Sequence, residues 1–262
     1  MDLSVGEIKH MLSQATEQDF AVFERSLAAD TRKGVQAALR QNRKRLDAQA
    51  QERARLKGMY DFEQAILDEH AAGICVGLDE VGRGSLAGPL AVGAVVLPKG
   101  LYIDGLNDSK QVKPADREVI VDEIKKHALA WTVQYIEPED IDACGMSASL
   151  RVAFTRAVKA IEEAGITPDV VLLDGNPQHL DPREVNIIKG DGKCASIAAA
   201  SLVAKVERDA LMVELAHEYP KYDWAACKGY ASPAHIEAIK QHGLTPLHRV
   251  SFCGAFTQPS LF

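Results

Sequence analysis

The five cysteines of this 262-residue chain are odd in number and include no CxxC pair. That pattern excludes a disulfide framework and a thiolate zinc site, and it points to reduced thiols. Long hydrophobic runs are missing too. The two longest apolar stretches, 86–97 and 195–204, fall short of the roughly 20 residues that a bilayer-spanning helix needs. The start, Met1-Asp2-Leu3-Ser4, lacks the basic region and apolar core of a secretory signal. Positive charge is not in excess: the net charge is −7, which argues against an indiscriminate nucleic-acid coat. A local basic track stays open, because phosphate contacts depend on local field and counterion release. A cytoplasmic monomer away from membranes is the expectation from these absences.

Residues 4 to about 70 contain no proline and little glycine. Ser4 with Glu7 forms a candidate capping box, and Thr16 and Asp30 are candidate caps further on. The segment 1–70 therefore reads as a helical extension: two short helices, then a long one from about Thr31 to near Glu69. Arg32, Lys33, Arg40, Arg43, Lys44, Arg45, Arg53, Arg55 and Lys57 give its first part a basic character. Either a solvated face or an auxiliary contact to a phosphate backbone suits such a charge run.

From Ala71 the pattern becomes mixed α/β. Strands are expected at 74–80, 90–97, 130–136, 170–174 and 185–188, and helices at 114–127, 147–164, 194–218 and 233–242. A mixed sheet flanked by helices follows, as one domain over 71–255 with a tail at 256–262.

Within that domain, the strand around Ile74, Val76 and Leu78 ends on two adjacent carboxylates, Asp79 and Glu80, followed by Gly82-Arg83-Gly84. Neighbouring strand residues face opposite sides, so both acids can share a site only if the strand ends there. Gly82-x-Gly84 with Gly88 resembles a dinucleotide loop, but a second strand follows where that loop would open a helix. A lone acidic pair is most often a solvated strand end. Here two more apolar strands deliver carboxylates, 170–173 at Asp174 and 185–188 at Asp191 beyond Lys189-Gly190. Ligand sites in α/β sheets favour that carboxyl edge. Four clustered acids repel and raise one another's pKa unless cations sit among them, and oxygen-only ligands suit Mg²⁺ or Mn²⁺. Two such ions about 4 Å apart activate water for in-line displacement.

The residues 79–84, 173–175, 189–191, the helix segment 197–209 (Ile-Ala-Ala-Ala-Ser-Leu-Val-Ala-Lys-Val-Glu-Arg-Asp), Lys228-Gly229-Tyr230, His235 and 245–252 together resemble ribonuclease HII. The resemblance runs in order over about 73–254 and leaves out the helical arm. The sister ribonuclease HIII carries a sheet-rich N-terminal domain, which the arm does not match. The resemblance implies a ribonuclease H-like fold and hydrolysis of RNA in RNA–DNA hybrids, including single ribonucleotides embedded in duplex DNA, leaving a 5′-phosphate and a 3′-hydroxyl. It makes Asp79, Glu80, Asp174 and Asp191 the catalytic, metal-holding acids. It assigns the ribonucleotide to the backbone of Gly82, Arg83 and Gly84, with Tyr230 stacking on the neighbouring sugar. Ser109, Lys110 and Lys189, with Lys193, Lys205 and Arg208, are its candidate phosphate contacts. A non-catalytic hybrid-binding protein is the alternative; a cluster of acids near phosphate would serve it poorly. The last residues, Gln258-Pro259-Ser260-Leu261-Phe262, resemble the short bacterial sliding-clamp-binding peptide, in which Gln258, Leu261 and Phe262 would be the anchors.

Overall fold

A computed structural model describes residues 3–257. The chain divides into two compact units, 1–57 and 58–262, and the division falls inside one long helix.

In the first unit, helices α1 (Val5–Gln14) and α2 (Glu17–Ser26) both begin in capping boxes, Ser4 with Glu7 and Thr16 with Asp19. Each box satisfies two amides that a helix start leaves without partners. They pack on the first part of α3 (Lys33–Glu69) through Ile8, Leu12, Phe20, Val35, Leu39 and Leu46. Several of the basic residues serve the unit itself. Arg43 pairs with Glu24 and lies 4.8 Å over the Phe20 ring, and Arg45 donates to the carbonyl of Ala15 at 3.2 Å. Arg40, Lys44 and Arg53 are exposed.

In the second unit, five strands form one sheet in the order β3-β2-β1-β4-β5. They are β1 (Cys75–Val81), β2 (Leu90–Val96), β3 (Ala130–Ile136), β4 (Val170–Asp174) and β5 (Glu184–Ile187). The first three run antiparallel, while β1, β4 and β5 run parallel, so the sheet is mixed as expected. Helix α4 (Pro114–His127) precedes β3; α5 (Pro138–Cys144) and α6 (Met146–Glu163) separate β3 from β4. Helix α6 lays Leu150, Phe154 and Ile161 on one face of the sheet, against Val76, Leu78, Val92 and Val171. After β5 come α7 (Ala195–Glu218), α8 (Trp224–Cys227), α9 (Pro233–His242) and α10 (Val250–Thr257).

Helix α7 carries little apolar bulk but is almost wholly buried from Ala195 to Ala204. Its small residues let it lie directly on the strands. A Cβ added to Gly77 of β1 would stand 2.2 Å from the Ser196 carbonyl carbon, and one on Gly93 of β2 would stand 2.3 Å from the Ala200 oxygen. The short helices α5, α8 and α10 were not expected from the sequence, since segments of four to eight residues carry too little periodicity to stand out. Among the described residues no helix is long and apolar enough to cross a membrane.

Candidate active site

Parallel pairing sets Leu78 of β1 opposite Leu173 of β4, so the next residues, Asp79 and Asp174, stand side by side on neighbouring strands near the carboxyl edge of the sheet. Beyond β5, Lys189 turns through the left-handed region (φ 57°) into a 3₁₀ turn, Gly190–Gly192, that carries Asp191. The turn is fastened to the first pair by the Gly190 amide, which donates to Asp174 Oδ1 at 2.6 Å. Asp79, Asp174 and Asp191 each present an oxygen within 4.8 Å of the other two.

Glu80 lies outside that triplet. The β1–β2 ladder continues through Glu80↔Val92 to Val81↔Ala91, so the strand does not end between the two acids and their side chains diverge. Arg83 meets the Glu80 carboxylate at 3.3 Å, and the Glu80 amide donates to Asp79 Oδ1 at 2.8 Å.

Burial holds the Asp79 carboxyl well above the usual range, opposed by the Ser201 hydroxyl and reinforced by the charges of Glu80, Asp174 and Asp191. Burial also raises Asp191, with Asp108 and Asp174 adding to it and Lys110 working against it. Glu80 is pushed up by burial and pulled back by Arg83. Buried carboxylates that repel one another need a proton or a cation between them. Three convergent oxygens without histidine or cysteine fit a hard divalent ion such as Mg²⁺ or Mn²⁺.

Beside the acids runs the turn from Gly82 to Pro89. Gly82 adopts φ 86°, and a Cβ there would meet the Arg208 Nε at 2.2 Å. Tyr230 reaches the same turn, its hydroxyl accepting from the Gly82 amide at 3.2 Å. The ring of Tyr230 is partly exposed, with Lys205 Nζ 5.8 Å and the Arg208 guanidinium 5.6 Å from its centroid. Gly229, with φ 82°, lets the Tyr230 loop touch the turn: its carbonyl accepts from the amides of Leu86 and Ala87, and a Cβ would strike the Ala87 oxygen at 2.3 Å.

The remaining candidates divide by exposure. Lys110 is exposed 3.7 Å from Asp191, and Lys189 is exposed as well. Ser109 is buried and accepts from the Ser201 hydroxyl at 3.1 Å, which turns it toward the helix. Lys205 pairs with Asp209 at 2.9 Å. Arg208 contradicts the expectation of a phosphate contact. It has no exposed surface, and its guanidinium is consumed by protein acceptors. Gln258, Leu261 and Phe262 lie outside the described residues.

Three supports were given no role by sequence reasoning. Glu63, from the last turns of α3, accepts from the Ser196 amide at 2.7 Å and from the Cys194 thiol at 3.0 Å, capping the helix that follows Asp191. Nothing local marks it, since its partner lies 133 positions away. Behind Tyr230, His235 bonds the Tyr230 carbonyl through Nδ1 at 2.9 Å and meets Trp224 Nε1 at 3.0 Å and His248 Nε2 at 3.1 Å through Nε2. The Thr245 amide donates to His248 Nδ1 at 2.9 Å, so this nitrogen has no room for a proton. Burial and the neighbouring imidazole lower His248 to about 4 and keep the pair neutral. The third support, Arg249, stood within the 245–252 segment, but only the folded chain shows what it holds.

Residues 76–255 match the family model described as ribonuclease HII, and residues 4–67 match the ribonuclease HII N-terminal domain. Among solved structures, the ribonuclease H2 of Pyrococcus horikoshii OT3 is 25% identical with a TM-score of 0.60, over 71% of this chain and all (100%) of that one. The ribonuclease HII of a PCNA:RNase HII complex from Archaeoglobus fulgidus is 26% identical with a TM-score of 0.58, over 68% of this chain and 94% of that one. A Bst-RNase HIII in complex with Mn²⁺ is 19% identical with a TM-score of 0.55, over 68% and 66%, which is a likeness of fold alone.

Proposed function

Because the chain belongs to the ribonuclease HII family, we propose that it cuts the RNA strand of RNA–DNA hybrids and the single ribonucleotides embedded in duplex DNA. The observation that carries this reading is the convergence of Asp79, Asp174 and Asp191 beside a glycine turn to which a tyrosine is bonded. Asp79, Asp174 and Asp191, with Glu80 adjoining, would hold the divalent ions. When bound, these supply activation of water and stabilisation of charge on the leaving 3′-oxygen, giving a 5′-phosphate and a 3′-hydroxyl.

The chain's own residues do the rest. Lys110, exposed beside Asp191, adds a positive charge at the rim where a phosphate would approach. Gly84 has no heavy atom within 4 Å of where a Cβ would stand, and its backbone is not left-handed. Packing therefore gives no reason for glycine there, while close approach of a ribose 2′-hydroxyl to the backbone does. Tyr230, tethered by its hydroxyl, offers a fixed ring face for a sugar or base.

The direct test is a DNA duplex containing one ribonucleotide, incubated with the protein and Mg²⁺ or Mn²⁺, or with neither. Incision at the ribonucleotide only when metal is added is expected; metal-dependent binding without incision would make the protein a hybrid binder instead. On the same substrate Tyr230→Ala should lower kcat/KM about tenfold, since stacking of one base is worth about 1–3 kcal/mol. Unchanged kinetics would leave Tyr230 with only its bond to the Gly82 amide to explain.

The Archaeoglobus fulgidus relative forms a complex with PCNA, a finding about that protein. For this chain we read Gln258, Leu261 and Phe262 as anchors for a sliding clamp, two apolar side chains in a pocket and one amide fixing register. Removal of residues 258–262 should abolish clamp binding in a pull-down and leave cleavage of a short free duplex intact. Clamp binding that survives the deletion would refute the assignment.

A further inference from the structure

Two arginines, Arg208 of α7 and Arg249 just before α10, have no exposed surface. Neither forms an ion pair among the described residues. A buried charge without a counter-charge is costly unless its donors are all engaged. Here they are engaged by one short piece of backbone. Arg249 donates to the carbonyls of Gly82 at 2.7 Å, Arg83 at 3.1 Å and Gly88 at 2.9 Å. Arg208 donates to Pro89 at 2.8 Å, Ala87 at 3.2 Å and the Ser85 hydroxyl at 2.8 Å. A further bond from Arg208 to the Lys228 carbonyl at 3.0 Å ties in the loop that carries Tyr230. Burial lowers the pKa of both, yet Arg249 still lies at about 10, so it is charged at neutral pH.

The turn is thereby polarised. Its carbonyls point inward to the guanidinium groups, and among the described residues the amides of Arg83 and Gly84 donate to no protein acceptor. The inward carbonyls of Gly82 and Arg83 leave the next amides facing out, with the buried Arg249 charge on the far side of those two peptide planes and Arg208 reaching the Gly82 carbonyl through the Ser85 hydroxyl. An anion, or a hydroxyl acting as acceptor, meets oriented dipoles that are already fixed before it arrives.

We propose that Arg208 and Arg249 are positioning residues for substrate recognition: they hold the Gly82–Pro89 turn by its carbonyls so that its outward amides grip the ribonucleotide. This rests on the reading of the protein as a ribonuclease H. Lysine cannot replace either one, because a single ammonium cannot span three carbonyls in a plane.

Cleavage of the single-ribonucleotide duplex by the full chain, followed over a substrate series at saturating Mg²⁺, separates the alternatives. Arg249→Lys and Arg208→Lys should each raise KM at least about tenfold while changing kcat far less, because the acids that hold the metal are untouched. KM does not depend on how much of the protein is folded, so partial misfolding does not mimic this result. Ser85→Ala is the milder variant: it removes an acceptor of Arg208 and a donor to the Gly82 carbonyl (2.8 Å) without altering charge, and should raise KM about threefold. A fall in kcat alone at constant KM, or kinetics like the parent's in Ser85→Ala where the lysine variants do not fold, would overturn the proposal. Absence of cleavage by the unaltered protein would instead defeat the ribonuclease reading itself.

Discussion

Asp79→Asn is expected to lower cleavage by about 10³-fold or more, the equivalent of roughly 4 kcal/mol in the barrier. Asparagine is nearly isosteric and keeps an oxygen for the Glu80 amide, which donates to Asp79 Oδ1 at 2.8 Å. What it removes is the buried charge of a triplet whose oxygens lie within 4.8 Å of one another. The sign of the stability effect follows from the direction of the pKa shift. The Asp79 carboxyl is raised in the folded state, so without metal its ionised form opposes folding at neutral pH and the loss of that charge relieves repulsion. The metal-free variant should therefore melt no lower than the parent protein. Added Mg²⁺ or Mn²⁺ should raise the parent's Tm and raise the variant's less, since binding to the native state stabilises by mass action. Near-parental cleavage at saturating Mg²⁺, or an equal gain in Tm from metal, would show that Asp79 does not hold the ion.

Gly77→Ala should produce the other large effect, through packing. The added methyl would lie 2.2 Å from the Ser196 carbonyl carbon and 2.4 Å from the Ile197 amide nitrogen. Both are backbone atoms in the first turn of α7, so no side chain can swing away and the helix itself must shift. Overpacking of this kind costs about 1–3 kcal/mol and occasionally more. The apparent Tm should fall by about 3–10 °C at the usual scale for a chain of this size. Activity should fall as well, because α7 follows directly on the turn that carries Asp191. Gly58→Ala is the counterpart. Gly58 lies within α3 with nothing inside 4 Å of an added Cβ, so alanine there should gain about 1 kcal/mol from helix propensity. A Gly77→Ala protein that melts and cuts like the parent would show that β1 and α7 are not packed this closely.

Gly77 also marks where sequence reasoning stopped. The apolar strands, their carboxylate ends and the glycine turn were legible, because burial writes a continuous apolar run and a strand end breaks it. The small-residue helix was legible as a helix. Its closeness to β1 and β2 was not, since a glycine at a contact of 2.2 Å reads like any other glycine. The same limit misassigned Arg208. Lys205, Arg208 and Asp209 look alike on a helix until its rotation is known, and that rotation buries Arg208 while leaving the lysine partly exposed.

Glu80 marks what adjacency in sequence leaves open. β1 pairs on past the two acids to Val81↔Ala91, and Glu80 adjoins the triplet of Asp79, Asp174 and Asp191 without being part of it. By itself the sequence determined the mixed α/β class, the helical extension, and the three strands or turns that bring Asp79, Asp174 and Asp191 to one edge. Only the tertiary structure decided which acids converge, that Ser109 and Arg208 face inward, and that Glu63 caps α7 from 133 positions away. The reason is physical. Periodicity and burial are properties of neighbours along the chain and leave a local pattern, whereas helix rotation, strand register and long-range hydrogen bonds are fixed by contacts between segments that have no local record of each other.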